Sequence, residues 1–300
     1  MRLVTSLAEM RAVARDLRRY GGPAGLVPTM GALHAGHLSL MQRARDEGHK
    51  LVVSIFVNPT QFGPSEDFNR YPRDLEGDLV RLDAVQPDIA FAPSAEEMYA
   101  PGFSTYVDPG LLAKQWEGAS RPGHFRGVCT VVLKLFNIIE PEVAYFGQKD
   151  FQQVVITRRM VADLSSAVSV AVCPTVREAD GLAISSRNAY LDTQDRQAAP
   201  VLHRSLCRAQ QMFEDGETRT TELLAAIRHV IAGEARVSLD YAAVTDSVSL
   251  QPVQQVAPGN VALLAARIGA VRLIDNLIFG PEGAAATDLI ELAMPRSSCR

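Results

Sequence analysis

The chain has 300 residues, of which 47% are apolar and 21% charged, a composition typical of a globular protein with one large or two medium cores. A formal net charge of −4 argues against a general nucleic-acid or membrane-surface binder, because such proteins need a basic face. The four cysteines have no CxxC spacing, so the sequence indicates neither a zinc site nor a disulfide framework. No signal-peptide pattern and no apolar run of about 20 residues is present, and we therefore expect a cytoplasmic protein.

Strands and helices alternate through the first 175 residues. Ser6 and Glu9 form an S-x-x-E capping box that begins an amphipathic helix. Apolar runs rich in β-branched residues predict strands at 25–27, 51–57, 89–91, 143–146 and 168–173. Helical periodicity predicts further helices at 38–45, 75–85, 128–139 and 151–164. Such alternation implies an α/β fold, with a Rossmann-like, doubly wound parallel sheet covered by helices on both sides.

The pattern changes beyond residue 175. Helices are predicted at 193–213 and 220–232, and strands follow at 239–245, 262–266 and 271–279. Consecutive strands after helices favour a smaller C-terminal α+β domain with an antiparallel sheet. We therefore expect domains at 1–175 and 176–283, and a tail at 284–300. The tail carries no clear turn or pairing signal, and we expect it to be partly disordered.

The stretch from Pro28 to His37 is the most informative part of the chain. It places His34 and His37 around Gly36, where the first predicted strand gives way to a helix. The free N–H groups and the positive dipole end of a helix bind phosphate, and imidazoles add hydrogen-bond donors. The sequence therefore indicates nucleotide chemistry. An ordinary strand-to-helix turn with exposed histidines is the alternative.

Three more polar segments follow predicted strands, at the edge where open α/β sheets bind ligands. Asn58 and Gln61 offer amide groups for a small polar substrate, although they also suit loop caps. Residues 147–153 combine a glycine, a lysine for phosphate and an aspartate that suits a helix cap or a ribose contact. Residues 176–188 offer two serines and an arginine that can fold over a triphosphate. Surface charge is the alternative for the lysine and the arginine.

A glycine-rich stretch lies between these segments. It contains Glu117, Arg121 and His124. We expect it to form a lid or a loop that faces the partner of a dimer.

The histidine pair and the late Ile-Ser-Ser-Arg segment together resemble the adenylyl-transferring HxGH nucleotidyltransferase superfamily, which includes class I aminoacyl-tRNA synthetases. Longer strings narrow the resemblance to the pantothenate synthetase (pantoate-beta-alanine ligase) family, in order and at family spacing from about residue 3 to residue 280. These strings include V-P-T-M-G-A-L-H, F-V-N-P-T-Q-F, F-G-Q-K-D and R-E-A-D-G-L-A-I-S-S-R-N.

The resemblance implies an ATP-dependent ligase of pantothenate biosynthesis. It implies condensation of (R)-pantoate with β-alanine to give pantothenate, AMP and pyrophosphate, through a pantoyl adenylate and without a protein nucleophile. It further implies ATP as substrate, Mg²⁺ as cofactor and a homodimer. From the acidic net charge we expect no nucleic-acid or membrane partner. The second domain would close over the active site.

The resemblance also assigns residues to roles. Those that would bind ATP are Met30, Gly31, Ala32, Leu33, His34, Ala35, Gly36, His37, Gly147, Gln148, Lys149, Asp150, Val176, Ile184, Ser185, Ser186 and Arg187. The catalytic set would be His34, His37, Lys149, Ser185 and Arg187. Pantoate would contact Gln61 and Gln153, and β-alanine would contact Gln61.

Two of these roles carry alternatives. His37 occupies the position described as a proton donor, but a positively charged or hydrogen-bonding imidazole explains that position equally well. Asp78 matches an acidic position associated with magnesium. Gly77 stands where family members usually carry a second acidic residue, which argues against direct metal ligation by the protein.

Three competing functions make different demands on the sequence. A nucleotidylyltransferase that moves AMP onto a phosphate needs an acceptor pocket rich in arginine and lysine, whereas this chain offers neutral amides there. A tRNA ligase needs a basic anticodon-binding module, and this chain is acidic. An ATP-binding regulatory protein without turnover is the third alternative, and the retained histidines, lysine and serine-rich segment count against it.

Overall fold

A computed structural model describes residues 1–64, 66–281 and 285–294. The chain forms two compact units. The first comprises Met1–Gly147 and Gln153–Cys173, and the second comprises Gln148–Gln152 and the chain from Pro174 onward. The excursion at Gln148–Gln152 was not anticipated from the sequence. In the described part of the chain no helix is long and apolar enough to cross a membrane.

Within the described residues, the first unit holds one six-stranded parallel sheet with the order β1-β4-β3-β2-β5-β6. Its strands are β1 (Arg2–Val4), β2 (Ala24–Thr29), β3 (Lys50–Ile55), β4 (Ile89–Phe91), β5 (Val143–Gly147) and β6 (Ser169–Cys173). The predicted α/β fold is confirmed. Parallel strands need crossover connections, and here at least one helix separates each strand of this sheet from the next one along the chain.

Helices connect these strands. They are α1 (Leu7–Asp16), α2 (Ala35–Asp46), α3 (Leu75–Leu82), α4 (Ala95–Met98), α5 (Glu117–Ser120), α6 (His124–Ile139) and α7 (Phe151–Asp163). Helix α1 begins as predicted, because the Ser6 hydroxyl accepts a hydrogen bond from the Glu9 N–H at 3.3 Å. Helix α6 begins four residues before its predicted start.

One buried cluster packs α2 against the sheet. Its members are Val27, Leu33, Leu40, Met41, Ala44, Leu51, Val53, Leu82, Ala90, Tyr145 and Cys173. The strand order reverses between β2 and β5, since β2 pairs with β3 on one side and with β5 on the other. Open parallel sheets bind ligands beyond the carboxyl ends of the strands at such a reversal. This topology directs attention to the residues that follow Thr29.

The second unit contains an antiparallel sheet in the order β7-β8-β9. Its strands are β7 (Val237–Thr245), β8 (Val261–Ile268) and β9 (Val271–Ile278), and its helices are α8 (Thr193–Ala198), α9 (Val201–Glu214), α10 (Thr220–Ala232) and α11 (Ala286–Ala293). The predicted α+β character is confirmed. The single helix predicted at 193–213 is wrong: it is interrupted before Pro200, whose ring cannot continue a regular helix.

The short helices and strands of the described chain that escaped the sequence analysis are β1, α4, α5 and α11. Strand β1 has only three residues, and two of them are exposed at the edge of the sheet, so the segment carries no buried apolar run. Helix α11 lies in the tail expected to be partly disordered, which corrects that expectation for its residues. The remainder of the predicted tail, at 284 and 295–300, lies outside the described residues.

Candidate active site

The loop between β2 and α2 has an unusual backbone. Gly31 and Ala32 both have positive φ angles, of 79° and 50°. The chain reverses there and presents His34 as the residue that precedes the first turn of α2. A side chain at Gly31 would be strained by its φ angle, which explains why glycine stands at this position.

The two histidines of this loop contact each other. Their rings stack with centroids 4.0 Å apart, and the backbone N–H of His34 donates to Nδ1 of His37 at 3.3 Å. A Cβ at Gly36 would lie 3.1 Å from the His34 ring, so the glycine leaves room for that ring. Because Nδ1 of His37 accepts a hydrogen bond, a neutral ring carries its proton on Nε2. The geometry therefore favours His37 as a hydrogen-bond donor through Nε2.

Asp78, in the first turn of α3, is hydrogen-bonded to the backbone of the same loop. Its side chain is 1% exposed, and its two oxygens accept backbone hydrogen bonds from Ala32 at 2.9 Å and Leu33 at 2.8 Å. A Cβ at Gly31 would approach Oδ2 of Asp78 to 2.8 Å. The carboxylate thus stabilises the positive-φ backbone that precedes the histidines, since a charged acceptor strengthens both bonds.

These contacts bear on the magnesium role that the resemblance suggests for Asp78. Both carboxylate oxygens already face backbone donors, and the side chain is buried. Among the described residues, no group of three or more His, Cys, Asp or Glu side chains is arranged to hold a metal ion. Asp78 therefore does not fit direct ligation of a divalent cation, which prefers several oxygen ligands.

Gln61 lies beside the histidine loop of the first unit. Its Nε2 lies 3.0 Å from Sδ of Met30, and its Oε1 accepts from Nδ2 of Asn58 at 3.0 Å. Asn58 also caps the short 3₁₀ turn Pro59–Gln61, because its Oδ1 accepts from the Thr60 N–H at 3.3 Å. The loop-cap interpretation thus holds for Asn58, and that cap orients the Gln61 amide.

Helix α6 supports the backbone of Gln61. Nδ1 of His124 lies 2.9 Å from the carbonyl oxygen of Gln61, and a Cβ at Gly127 would lie 2.3 Å from the carbonyl oxygen of Thr60. Nη1 of Arg121 lies 3.1 Å from Nε2 of His124. A carbonyl only accepts and a guanidinium only donates, so these contacts assign the His124 proton to Nδ1.

The expected lid or dimer-facing loop therefore contains an internal network. Arg121 also bonds Glu66 at 2.6 Å and lies 3.5 Å from Glu117, which is itself buried. Sequence reasoning gave these residues no connection with Gln61, because their partners are remote in the chain. Their described contacts indicate that these residues hold the backbone of Gln61 in place.

In the second unit, a hairpin brings Val176 and Ile184 together. The Ile184 N–H donates to the Val176 carbonyl at 3.0 Å, and Arg177 pairs with Ala183 in an antiparallel bridge. Ser185 follows the hairpin and caps the 3₁₀ turn Ser186–Tyr190 by accepting from the Arg187 N–H at 3.3 Å. The serine-rich segment predicted to bind triphosphate is thus a capped turn at the base of a hairpin.

Arg196 and Asn188 brace that hairpin from within the second unit. The guanidinium of Arg196 bonds Glu178 and Asp180, each at 2.6 Å. Nδ2 of Asn188 donates to the carbonyl of Ala183 at 3.1 Å. These bonds connect the hairpin to α8 and to the 3₁₀ turn Ser186–Tyr190 of the same unit.

Lys149 belongs to the 3₁₀ turn Gln148–Asp150, which packs on β9. Its Nζ lies 3.8 Å from Asp150, whose side chain is half exposed. The turn and the hairpin both contact β9, through residues that the sequence analysis missed: Asn276 bonds Gln148 and Lys149, and Asp275 bonds Arg177. A signal was present, because two consecutive polar residues separate the apolar pair Leu273 and Ile274 from the apolar pair Leu277 and Ile278.

The predicted site residues thus form two groups, each described within its own unit. In the first unit, the histidine loop, Asp78 and Gln61 lie together through Met30 and the loop backbone. In the second unit, residues 148–150 and the Val176–Ile184 hairpin lie together on β9. Gln153 lies half-buried in α7, and its predicted pantoate contact stays a prediction.

Comparison with known proteins identifies a family. A model of the family described as pantoate-beta-alanine ligase matches residues 2–278. A pantothenate synthetase from Roseiflexus castenholzii is 54% identical over 93% of this chain and 99% of its own length. A pantothenate synthetase from Geobacter sulfurreducens is 52% identical over 94% of this chain and 100% of its own length.

Solved structures agree with this result. A crystal structure of pantothenate synthetase from Thermus thermophilus superposes with a TM-score of 0.88 at 46% identity, over 93% of this chain and all of that one. A pantoate-beta-alanine ligase from Francisella tularensis, in complex with a β,γ-ATP compound and β-alanine, superposes with a TM-score of 0.77 at 35% identity, over 93% of this chain and 97% of that one.

Proposed function

The chain belongs to the pantoate-beta-alanine ligase family, and from this premise we propose that it condenses pantoate with β-alanine at the expense of ATP, through a pantoyl adenylate. The products are pantothenate, AMP and pyrophosphate. One observation carries the proposal beyond family membership: the paired histidines at the N-terminus of α2 adjoin the Gln61 amide through Met30. Groups that can donate hydrogen bonds to phosphate therefore lie next to an uncharged amide that can contact pantoate.

In the first step, an oxygen of the pantoate carboxylate attacks the α-phosphorus of ATP. The bond between the α-phosphorus and the bridging oxygen breaks, and pyrophosphate leaves with the electron pair. His34 and His37 donate hydrogen bonds to phosphate oxygens at the N-terminus of α2, where the helix dipole adds to the same field. Lys149 supplies a positive charge, and Ser185 and Arg187 contact the triphosphate.

In the second step, the amine of β-alanine attacks the acyl carbon of the adenylate. The attacking nitrogen becomes positively charged and loses its extra proton to solvent or AMP. The bond between the acyl carbon and the phosphate oxygen breaks, and AMP leaves. Gln61 and Gln153 hold pantoate, and Gln61 also faces β-alanine. Positioning accounts for much of the rate enhancement, because the pantoyl group is held in place for the attack in each step.

The remaining ATP contacts follow the family pattern. Residues 30–37 line one side of the nucleotide, Gly147–Asp150 hold ribose and phosphate, and the Val176 backbone contacts adenine. The hairpin bond between Val176 and Ile184 supports joint placement of the adenine and triphosphate contacts.

Magnesium and a homodimer remain predictions from the resemblance, and a cytoplasmic location remains a prediction from the sequence. The Asp78 geometry does not fit direct ligation, and we assign no step to the metal. Size-exclusion chromatography with light scattering measures the oligomeric state directly.

A substrate panel tests the function. The purified chain is mixed with ATP, magnesium and either pantoate, other hydroxy acids or pantetheine phosphate, and AMP and pyrophosphate are followed separately. We expect pyrophosphate release with pantoate, and continuous AMP formation only when β-alanine is also present. Turnover with the phosphorylated acceptor would instead favour a nucleotidylyltransferase, and no turnover with any acceptor would favour a regulatory ATP-binding protein.

Gly147→Ala provides a separate test of the ATP contact. A Cβ at Gly147 meets nothing within 4 Å, so we expect the free energy of unfolding to change by less than about 0.5 kcal/mol. If ATP approaches this backbone, the added methyl group should raise the KM for ATP about tenfold. Gly233→Ala, at the end of α10, is the control and should alter neither quantity. An unchanged KM in the Gly147 variant would contradict the contact.

A further inference from the structure

Strand β9 contains two consecutive buried polar residues. Asp275 is 4% exposed and Asn276 is 2% exposed, within a unit whose buried hydrophobic cluster consists of aliphatic side chains and Phe279. Burial of an amide or a carboxylate costs free energy unless its hydrogen bonds are satisfied. Their partners therefore explain why such residues stand at these positions.

Asn276 is bonded to two consecutive residues of the 3₁₀ turn. Its Nδ2 donates to the carbonyl of Gln148 at 3.0 Å and to the carbonyl of Lys149 at 2.9 Å, while its Oδ1 accepts from Nε2 of Gln148 at 3.1 Å. An amide is the side chain that provides two donors and an acceptor at one point. These three bonds fix the backbone from which the Lys149 side chain extends.

Asp275 makes a matching attachment to the hairpin. Its two oxygens accept from Nη1 and Nη2 of Arg177 at 2.7 Å and 2.9 Å, and Nη1 of Arg177 also donates to the Gly181 carbonyl at 3.1 Å. A two-point ion pair fixes orientation as well as distance. Adjacent residues of one strand therefore hold two segments that are remote in the chain.

We propose that Asn276 is a positioning residue that sets the location of the Lys149 ammonium for the triphosphate, and that Asp275 does the same for the Val176–Ile184 hairpin. Neither residue needs to touch a substrate. The inference rests on the proposed function, which assigns both held segments to ATP. The proposal predicts that the effect of an Asn276 substitution on the reaction rate depends on whether Lys149 is present.

A purely structural role for Asn276 makes a different prediction. If the amide only satisfied the interior of the second unit, its loss would lower stability and would affect the rate to the same extent whether or not Lys149 is present. A positioning role instead makes the effect on the rate depend on the lysine. A double-mutant cycle separates these two cases.

The experiment compares four proteins: the unchanged chain, Asn276→Asp, Lys149→Ala and the double variant. Asn276→Asp keeps the size of the side chain but turns carboxylate oxygen toward two carbonyls. We expect kcat for pyrophosphate release to fall about tenfold or more in the single Asn276 variant, with little change in the KM for pantoate. In the Lys149→Ala background, the same substitution should lower kcat by less than about threefold.

Controls keep the outcomes distinct. Asn260→Asp retains an acceptor for the Ala257 N–H in the same unit and should leave kcat unchanged. Equal losses in both backgrounds would overturn the positioning role of Asn276. Normal turnover of Lys149→Ala alone would overturn the proposed function at this residue. If Asn276→Asp does not fold, Asn276→Ser, which is neutral and keeps one donor, enters the same cycle.

Discussion

Replacing His37 by asparagine is expected to lower the rate of pantoyl adenylate formation about a hundredfold, whereas replacement by glutamine should cost much less. Asparagine retains an acceptor near the position of Nδ1, where the His34 N–H donates. It has no atom near Nε2, the nitrogen that carries the proton toward phosphate. Glutamine is long enough to put an amide N–H there. The pair of variants therefore separates the two functions of one imidazole.

The measurement is single-turnover release of pyrophosphate from ATP and pantoate, without β-alanine, so that the amine of the second substrate does not affect the result. Equal losses in the two variants would instead support proton transfer by His37, because a glutamine amide donates a hydrogen bond but does not give up its proton.

Replacing Asp78 by asparagine should produce the second largest effect. One of the two oxygens that accept from Ala32 and Leu33 becomes an NH₂ group, which then faces a backbone N–H. A lost hydrogen bond to a charged group costs about 2 kcal/mol, which corresponds to roughly thirtyfold in kcat/KM for ATP. The positive-φ loop and the two histidines would no longer be held in place, so both kcat and the ATP affinity should fall.

Glu76→Gln is the matched control for Asp78. It removes the same charge from the same turn of α3 at an exposed position, and kcat/KM should stay within about twofold. Both proteins are compared over a range of magnesium concentrations. Rescue of the Asp78 variant by excess magnesium would indicate a metal ligand rather than a residue that holds the loop.

Local sequence signals predicted much of the fold. The capping box at Ser6 and the apolar strands 51–57 and 89–91 depend on neighbours a few residues away, and the structure has a helix or a strand at each. The break before Pro200 was also readable, since proline removes a backbone donor inside the predicted helix. The overestimated helix reflects apolar periodicity that continues across the break.

Contacts between remote segments could not be predicted in the same way. Asn276 bonds Gln148 across 128 positions, and the polar pair in the strand marks an unusual position without identifying its partner. The Asp78 carboxylate was associated with metal because its sequence position resembles an acidic motif. Its bonds to Ala32 and Leu33, 46 and 45 positions earlier, depend on how α3 meets the β2–α2 loop.

The excursion of Gln148–Gln152 into the second unit has a practical consequence for dissecting this enzyme. A recombinant fragment that ends at Cys173 would include Lys149 but lack the strand that fixes its backbone. A fragment that starts at Pro174 would keep Asn276 without the turn it binds. Neither half is thus expected to recover nucleotide affinity when expressed alone, and mixing the halves would have to rebuild a buried amide contact first.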